Sequence, residues 1–287
     1  MSSRFLAFLT IIRPVNSVMM GLGVVLSEII AFQGIPSFNV LFFGFLTAFC
    51  LTASSMVLND YFDFDVDLVN APWRPLPSGL IKKDEAILYF TFLTFLGVAS
   101  SLTINVECFL LACLATFISS FYNARGKKYG LLGNFMVSFC VALPFLFGSI
   151  AIKSYGSLLL QIFSLAAFLS NTGREVMKGI VDVEGDKVRG VRTVAMVYGN
   201  RVASIIAFLF FMGAIVVGFL PILFRIVSWL YLPFYIMSCI GFVLDSLFLM
   251  KDPSPGKAKT IKSRILIYML LAMLAAFLGG FLKVTVW

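Results

Sequence analysis

Histidine is absent from this sequence of 287 residues. Its absence removes the commonest general base and the usual ligand of zinc and haem iron. Any bound metal must then be held by carboxylates and amides, which suit a hard ion such as Mg²⁺. Charge is scarce as well: Asp, Glu, Lys and Arg supply 13% of the chain, half of the ~25% usual for a soluble domain. The five cysteines (Cys50, Cys108, Cys113, Cys140 and Cys239) form no CxxC pair and all lie inside apolar stretches. That placement suits packing and argues against a disulfide framework or a thiolate metal site.

What is abundant is hydrocarbon. Hydrophobic residues make up 60% of the chain, and the mean hydropathy is +1.00. A bilayer-spanning helix needs about 20 predominantly apolar residues, and nine blocks qualify: 5–32, 38–58, 84–103, 106–123, 131–151, 156–175, 201–224, 229–250 and 264–284. Only Ile104 and Asn105 separate the third block from the fourth. With nine spans the connections alternate sides, and 19 of the 22 basic residues then fall on one side, with the N-terminal end. The positive-inside rule makes that side cytoplasmic. The net charge of +8 is therefore a topology signal, and nucleic acid is not an expected partner. The expectation is an all-α, multi-pass cell-membrane protein of one domain. It has two halves of similar plan, roughly 1–125 and 126–250, plus a ninth helix.

Eight of the 14 acidic residues fall into two short windows on the expected cytoplasmic face. In the first, Asn59, Asp63 and Asp67 are four apart and Asp60 lies three before Asp63, so all four share one helical face. Three carboxylates on one face repel one another unless a cation lies among them. In the second, Asp182 and Asp186 are four apart, with Glu175 seven before Asp182. Two such faces at one membrane surface could hold two Mg²⁺ ions with a diphosphate between them, because Mg²⁺ takes few protein ligands and bridges phosphate oxygens. Asp65 and Glu184 fall off these faces and read as solvated. Arg74, Lys178 and Lys187 lie close to the acids in sequence, and Lys127 lies in another loop of the same expected face, where cations could stabilise a leaving diphosphate. A cation-coupled transporter would instead place ionisable groups at the bilayer midplane, where only Glu28 and Asp245 qualify.

The motifs resemble the UbiA-type intramembrane prenyltransferase family. Asn59-x-x-x-Asp63-x-x-x-Asp67, followed by Arg74-Pro75-Leu76-Pro77-Ser78-Gly79, is similar to its first signature, and Asp182-x-x-x-Asp186 to its second. Arg13-Pro14-x-Asn16 is similar to its opening motif, and Tyr122-Asn123 with Lys127 to its third polar cluster, although Asn123 stands where the family often has serine. The resemblance implies nine helices around a central cavity capped by the cytoplasmic loops. It implies two Mg²⁺ ions on Asn59, Asp63, Asp67, Asp182 and Asp186, to which the shared helical face adds Asp60. Arg74, Lys127 and Lys178 would contact a prenyl diphosphate, with Arg13 and Asn123 as further substrate contacts and Asn16 and Tyr122 near the reacting carbon. Within the family, Arg174–Thr193 and Tyr122–Asn134 are most similar to the archaeal enzymes that join geranylgeranyl diphosphate to geranylgeranylglyceryl phosphate, a lipid-like acceptor. Prenylation of an aromatic quinone precursor is the alternative.

The topology has a direct check. In a variant lacking the five native cysteines, Cys introduced at Ser78 and at Ser254 should both label from the cytoplasmic face. Labelling from opposite faces would rule out the nine-span arrangement.

Overall fold

The structure, a computed structural model, describes residues 2–183 and 191–281. Among these, the regular structure is helical: α1 (Ser2–Ile11), α2 (Pro14–Phe32), α3 (Phe38–Phe62), α4 (Phe64–Asn70), α5 (Lys83–Leu102), α6 (Val106–Ala124), α7 (Leu131–Ala151), α8 (Leu158–Val181), α9 (Val194–Leu223), α10 (Tyr231–Lys251) and α11 (Pro255–Phe281), with a 3₁₀ turn at Gly126–Tyr129. The chain is a multi-pass, all-helical membrane protein. Each of the nine expected blocks falls on helical structure, with four differences of detail.

First, the block 5–32 is two helices. Arg13 adopts a left-handed conformation (φ 46°) and Pro14 opens α2. Proline has no N–H to continue α1, while its fixed φ suits the first position of a new helix. Second, the unclear boundary between the third and fourth blocks is a cap: the Asn105 side chain accepts the Cys108 N–H at 2.7 Å, and its amide donates to the Ile150 carbonyl at 3.2 Å. Third, eight helices among the described residues are long and apolar enough to cross a membrane, and α8 is not one of them. α8 is 24 residues long but carries Gln161, Asn171, Thr172, Arg174, Glu175 and Lys178, which lower its hydropathy. Block 201–224 also gains an N-terminal extension in α9, separated from the span by Gly199 at φ 83°.

The chain divides into two compact units. One comprises Met1–Gly126 with Leu143–Tyr155. In it α3 packs on α2, α5 and α6, around a core that includes Ile11, Ile12, Cys50, Ala53, Val57, Leu76 and Ile81. The other comprises Lys127–Ala142 with Gly156–Trp287. Its α8 packs on α9 and α11 through a core of Val176, Met177, Ile180, Ala203, Ala207, Phe211, Ile261 and Ile265. Asp245, one of the two acids within the apolar blocks, belongs to this second unit. It pairs with Arg264 at 3.1 Å and accepts the Tyr268 hydroxyl at 2.8 Å.

In lipid, apolar side chains gain little by leaving hydrocarbon for one another, so helices associate through close van der Waals packing over small residues. Gly148 of α7 illustrates this: a Cβ added there would lie 2.5 Å from the Ser27 Cβ and 2.8 Å from the Glu28 nitrogen on α2. Backbone cannot give way as a flexible side chain can. Gly148→Ala should therefore cost about 1–3 kcal/mol of stability, seen as a lower melting temperature in detergent. An unchanged melting temperature would show that this contact is not tight.

Candidate active site

The first acid window sits where α3 gives way to α4. Asp63 occupies the break (φ −88°, ψ 2°), closing α3 and opening α4. The four-residue spacing survives the interruption because the Asp63 N–H donates to the Asn59 carbonyl at 3.0 Å and the Asp67 N–H to the Asp63 carbonyl at 2.8 Å. Asp60, Asp63 and Asp67 thus remain on one inward face, at 3%, 8% and 3% exposure. Asp65, off that face, is exposed.

Carboxylates so buried need cations or hydrogen bonds, and two arginines supply them. Arg13 Nη2 donates to Asp60 Oδ1 at 2.7 Å and to Asn59 Oδ1 at 3.3 Å. Arg74 Nη1 donates to Asp67 Oδ2 at 2.5 Å and lies 3.8 Å from Asp60 Oδ1. Burial works against the Arg74 charge, yet the bond to Asp67 and the fields of Asp67, Asp60 and Asp63 outweigh it and hold the guanidinium above its ordinary range. The left-handed turn at Arg13 brings α1 and α2 to this cluster. The proline-rich stretch after Ala71 turns back sharply enough for Arg74 to reach Asp67, only seven residues earlier.

Asn59 also donates to Asn123 Oδ1 at 3.1 Å, and Asn123 in turn donates to the Ser55 carbonyl at 3.2 Å. Asn123 is buried near the end of α6, beside Tyr122, which is half-buried. Asn16 lies in the first turn of α2 and is exposed. The structure thus joins Asn59, Asp60, Asp67, Arg13, Arg74 and Asn123 in one polar network.

The second window lies in the other unit. Asp182 caps the C-terminus of α8 and is exposed. Glu175, 8% exposed, accepts from Arg174 Nη1 and from Lys178 Nζ, both at 3.3 Å. Lys127 is half-buried in the 3₁₀ turn. Asp186, Glu184 and Lys187 lie outside the described residues.

Among the described residues no three carboxylates converge at metal-binding distance. The donor set still fits Mg²⁺. The residues are oxygen donors, and this ion commonly binds through one or two carboxylates while phosphates and waters fill the remaining positions. In the first window Arg13 and Arg74 are the cations paired with the buried carboxylates.

Residues 20–270 match the UbiA prenyltransferase family. The chain belongs to that family. It is a prenyltransferase of the membrane. Over 277 residues, 96% of this chain and 98% of the relative, it is 31% identical to the digeranylgeranylglyceryl phosphate synthase of Thermococcus sibiricus. A solved structure concerned with a digeranylgeranylglyceryl phosphate synthase in membranes superposes with a TM-score of 0.82 at 30% identity, covering 97% of this chain and 99% of that one. A UbiA homologue from Archaeoglobus fulgidus bound to DMAPP and Mg²⁺ shares the fold, with a TM-score of 0.67 at 21% identity over 94% and 97% of the two chains.

Some contacts in this UbiA prenyltransferase were not legible in its sequence. Ser55 reads as one more small residue in an apolar run. Glu175 was grouped with Asp182 by spacing, but its neighbours are cations. The Arg13–Asp60 pair joins residues 47 apart, with no local pattern to announce it. A double-mutant cycle on Arg13→Met and Asp60→Asn should give a coupling of about 1 kcal/mol in thermal unfolding, modest because Arg13 is part-exposed and screened. Strict additivity would mean that the pair does not hold the α1–α2 turn.

Proposed function

We propose that this prenyltransferase transfers a geranylgeranyl group from geranylgeranyl diphosphate to geranylgeranylglyceryl phosphate, forming the second ether bond of an archaeal membrane lipid. The observation that carries this reading is likeness over nearly the whole chain: 31% identity across 96% of it to a digeranylgeranylglyceryl phosphate synthase. The buried carboxylate network on α3 and α4 supports the chemistry.

In this reading Asn59, Asp60, Asp63, Asp67, Asp182 and Asp186 hold two Mg²⁺ ions, and their face of the membrane is cytoplasmic. When bound, Mg²⁺ neutralises the diphosphate and makes it a better leaving group. Arg74, Lys127 and Lys178 would contact the diphosphate. The C1–O bond of the donor breaks with its electron pair leaving on the diphosphate. The acceptor hydroxyl oxygen then bonds to C1 and loses its proton. An allylic cation is quenched by water, so the reaction needs a closed apolar chamber, and aromatic faces such as Tyr122 can stabilise positive charge. Asn16 would lie near the reacting carbon. Asn123, hydrogen-bonded to Asn59, fixes the direction in which that amide oxygen points.

Product analysis tests this. Purified enzyme given geranylgeranyl diphosphate should alkylate geranylgeranylglyceryl phosphate, lose activity in EDTA and regain it with Mg²⁺. Asp63→Ala and Asp182→Ala should each lower turnover at least ~10²-fold, the scale of one lost electrostatic group. Prenylation of 4-hydroxybenzoate, with none of the glycerol phosphate, would assign the enzyme to a quinone pathway instead.

A further inference from the structure

Of the two acids within the apolar blocks, Asp245 has an arginine and a tyrosine beside it. Glu28 has neither. Its side chain is fully buried, and neither carboxyl oxygen has a hydrogen-bond partner. Glu28 lies four residues before the end of α2 at Phe32, about one helical turn from that end, whereas the Arg13–Asp60 pair lies at the other. An ionisable group at such a place inside a bilayer points to a function, and the chemistry of the acid windows makes no use of this one.

The surroundings of Glu28 are shaped to receive it. A Cβ added to Gly44 of α3 would lie 2.1 Å from Glu28 Oε1 and 2.9 Å from its carboxyl carbon, so the carboxyl fills the space that a side chain at 44 would take. On α7, Gly148 lets the helix come into contact with the backbone of Ser27 and Glu28. Val24, one turn before Glu28, shares a core with Cys108 of α6 and with Phe147 and Ala151 of α7. The carboxyl is thus enclosed where α2 meets α3 and α7, within the first unit.

Among the described residues no positive charge faces it. α2 has no other ionisable side chain. α3 offers none nearer to Gly44 than Cys50, which packs in a different core cluster. Leu143–Ala151 of α7 contains none. α6 brings the buried thiol of Cys108, itself a weak acid, and Glu107, which is exposed and accepts from the Tyr155 hydroxyl at 3.5 Å. Lys153, beyond α7, is exposed. A carboxylate enclosed with neither counter-charge nor hydrogen bond costs far more than the neutral acid.

We propose that Glu28 is a proton-binding site: the carboxyl is held as the neutral acid where α2 meets α3 and α7, and loss of the proton is the switch that loosens this contact. The proposal does not depend on which acceptor the enzyme uses. Released from the contact into water, the carboxyl ionises near about pH 4.3 like any glutamate. Above that pH the packed state holds one proton more than the unpacked state, so stability falls as pH rises, until Glu28 ionises in place.

Thermal unfolding in detergent tests the switch. Between about pH 5 and about pH 8 the melting temperature of the wild type should fall several degrees further than that of Glu28→Gln, which has nearly the same shape and does not titrate. Parallel curves would overturn the proposal, and Glu28→Met serves the same comparison should the Gln variant fail to fold. Difference infrared spectroscopy reads the proton directly. At neutral pH the carbonyl stretch of a protonated carboxylic acid should be present in the wild type and lost in Glu28→Gln; loss of carboxylate bands instead would show an ionised Glu28 and end the proposal. Gly44→Ala tests the seat of the carboxyl. It should lower the melting temperature of the wild type far more than that of Glu28→Ala, in which the space is open. Equal losses would place the carboxyl elsewhere and overturn the contact on which the switch depends.

Discussion

A carboxylate withdrawn from water needs a positive charge beside it, and the arrangement of the first unit follows from that need. Asp60 and Asp67 are at 3% exposure each, a position that costs several kcal/mol per ion when left uncompensated. Two arginines from outside α3 meet the need, and each imposes a bend on the chain. Arg13 sits in a left-handed turn that splits the first apolar block. Arg74 lies in a stretch that prolines keep from becoming a long helix. The breaks in helical structure around the acids are thus the means by which cations reach them.

The second unit meets the same need differently. Of its buried acids, Glu175 draws two partners from its own helix at 3.3 Å, and Asp245 draws Arg264 from α11 at 3.1 Å. The exposed Asp182 at the helix end is left for other duties. One unit therefore meets its buried acids with arginines from outside α3, while the other draws on α8 for Glu175 and on α11 for Asp245.

Much of the architecture could be read from the chain because the bilayer constrains it so tightly. Apolar length alone located nine helices, since lipid permits few other structures. Four-residue spacing predicted the shared face of Asn59, Asp63 and Asp67, and backbone hydrogen bonds preserve it across the break at Asp63. Pairings between distant residues were not legible. The basic residues of α11 all carried the same topology signal, and only packing sets Arg264 beside Asp245. Asn123 looked like a departure from a family serine, yet its amide bridges Asn59 and Ser55. Its oxygen accepts from Asn59 while its nitrogen donates to the Ser55 carbonyl.

The polarity of α8 has a consequence for how the protein is made. Insertion into lipid is judged segment by segment, and each charged group near a helix centre counts against entry. α8 carries Arg174, Glu175 and Lys178 towards one end and Asn171 and Thr172 before them, so it is the poorest candidate to partition by itself. Its companion is α9, the most apolar of the spans, whose Phe211 and Ala207 lie against Gly173. How firmly α8 is held in the membrane then depends on its contact with α9.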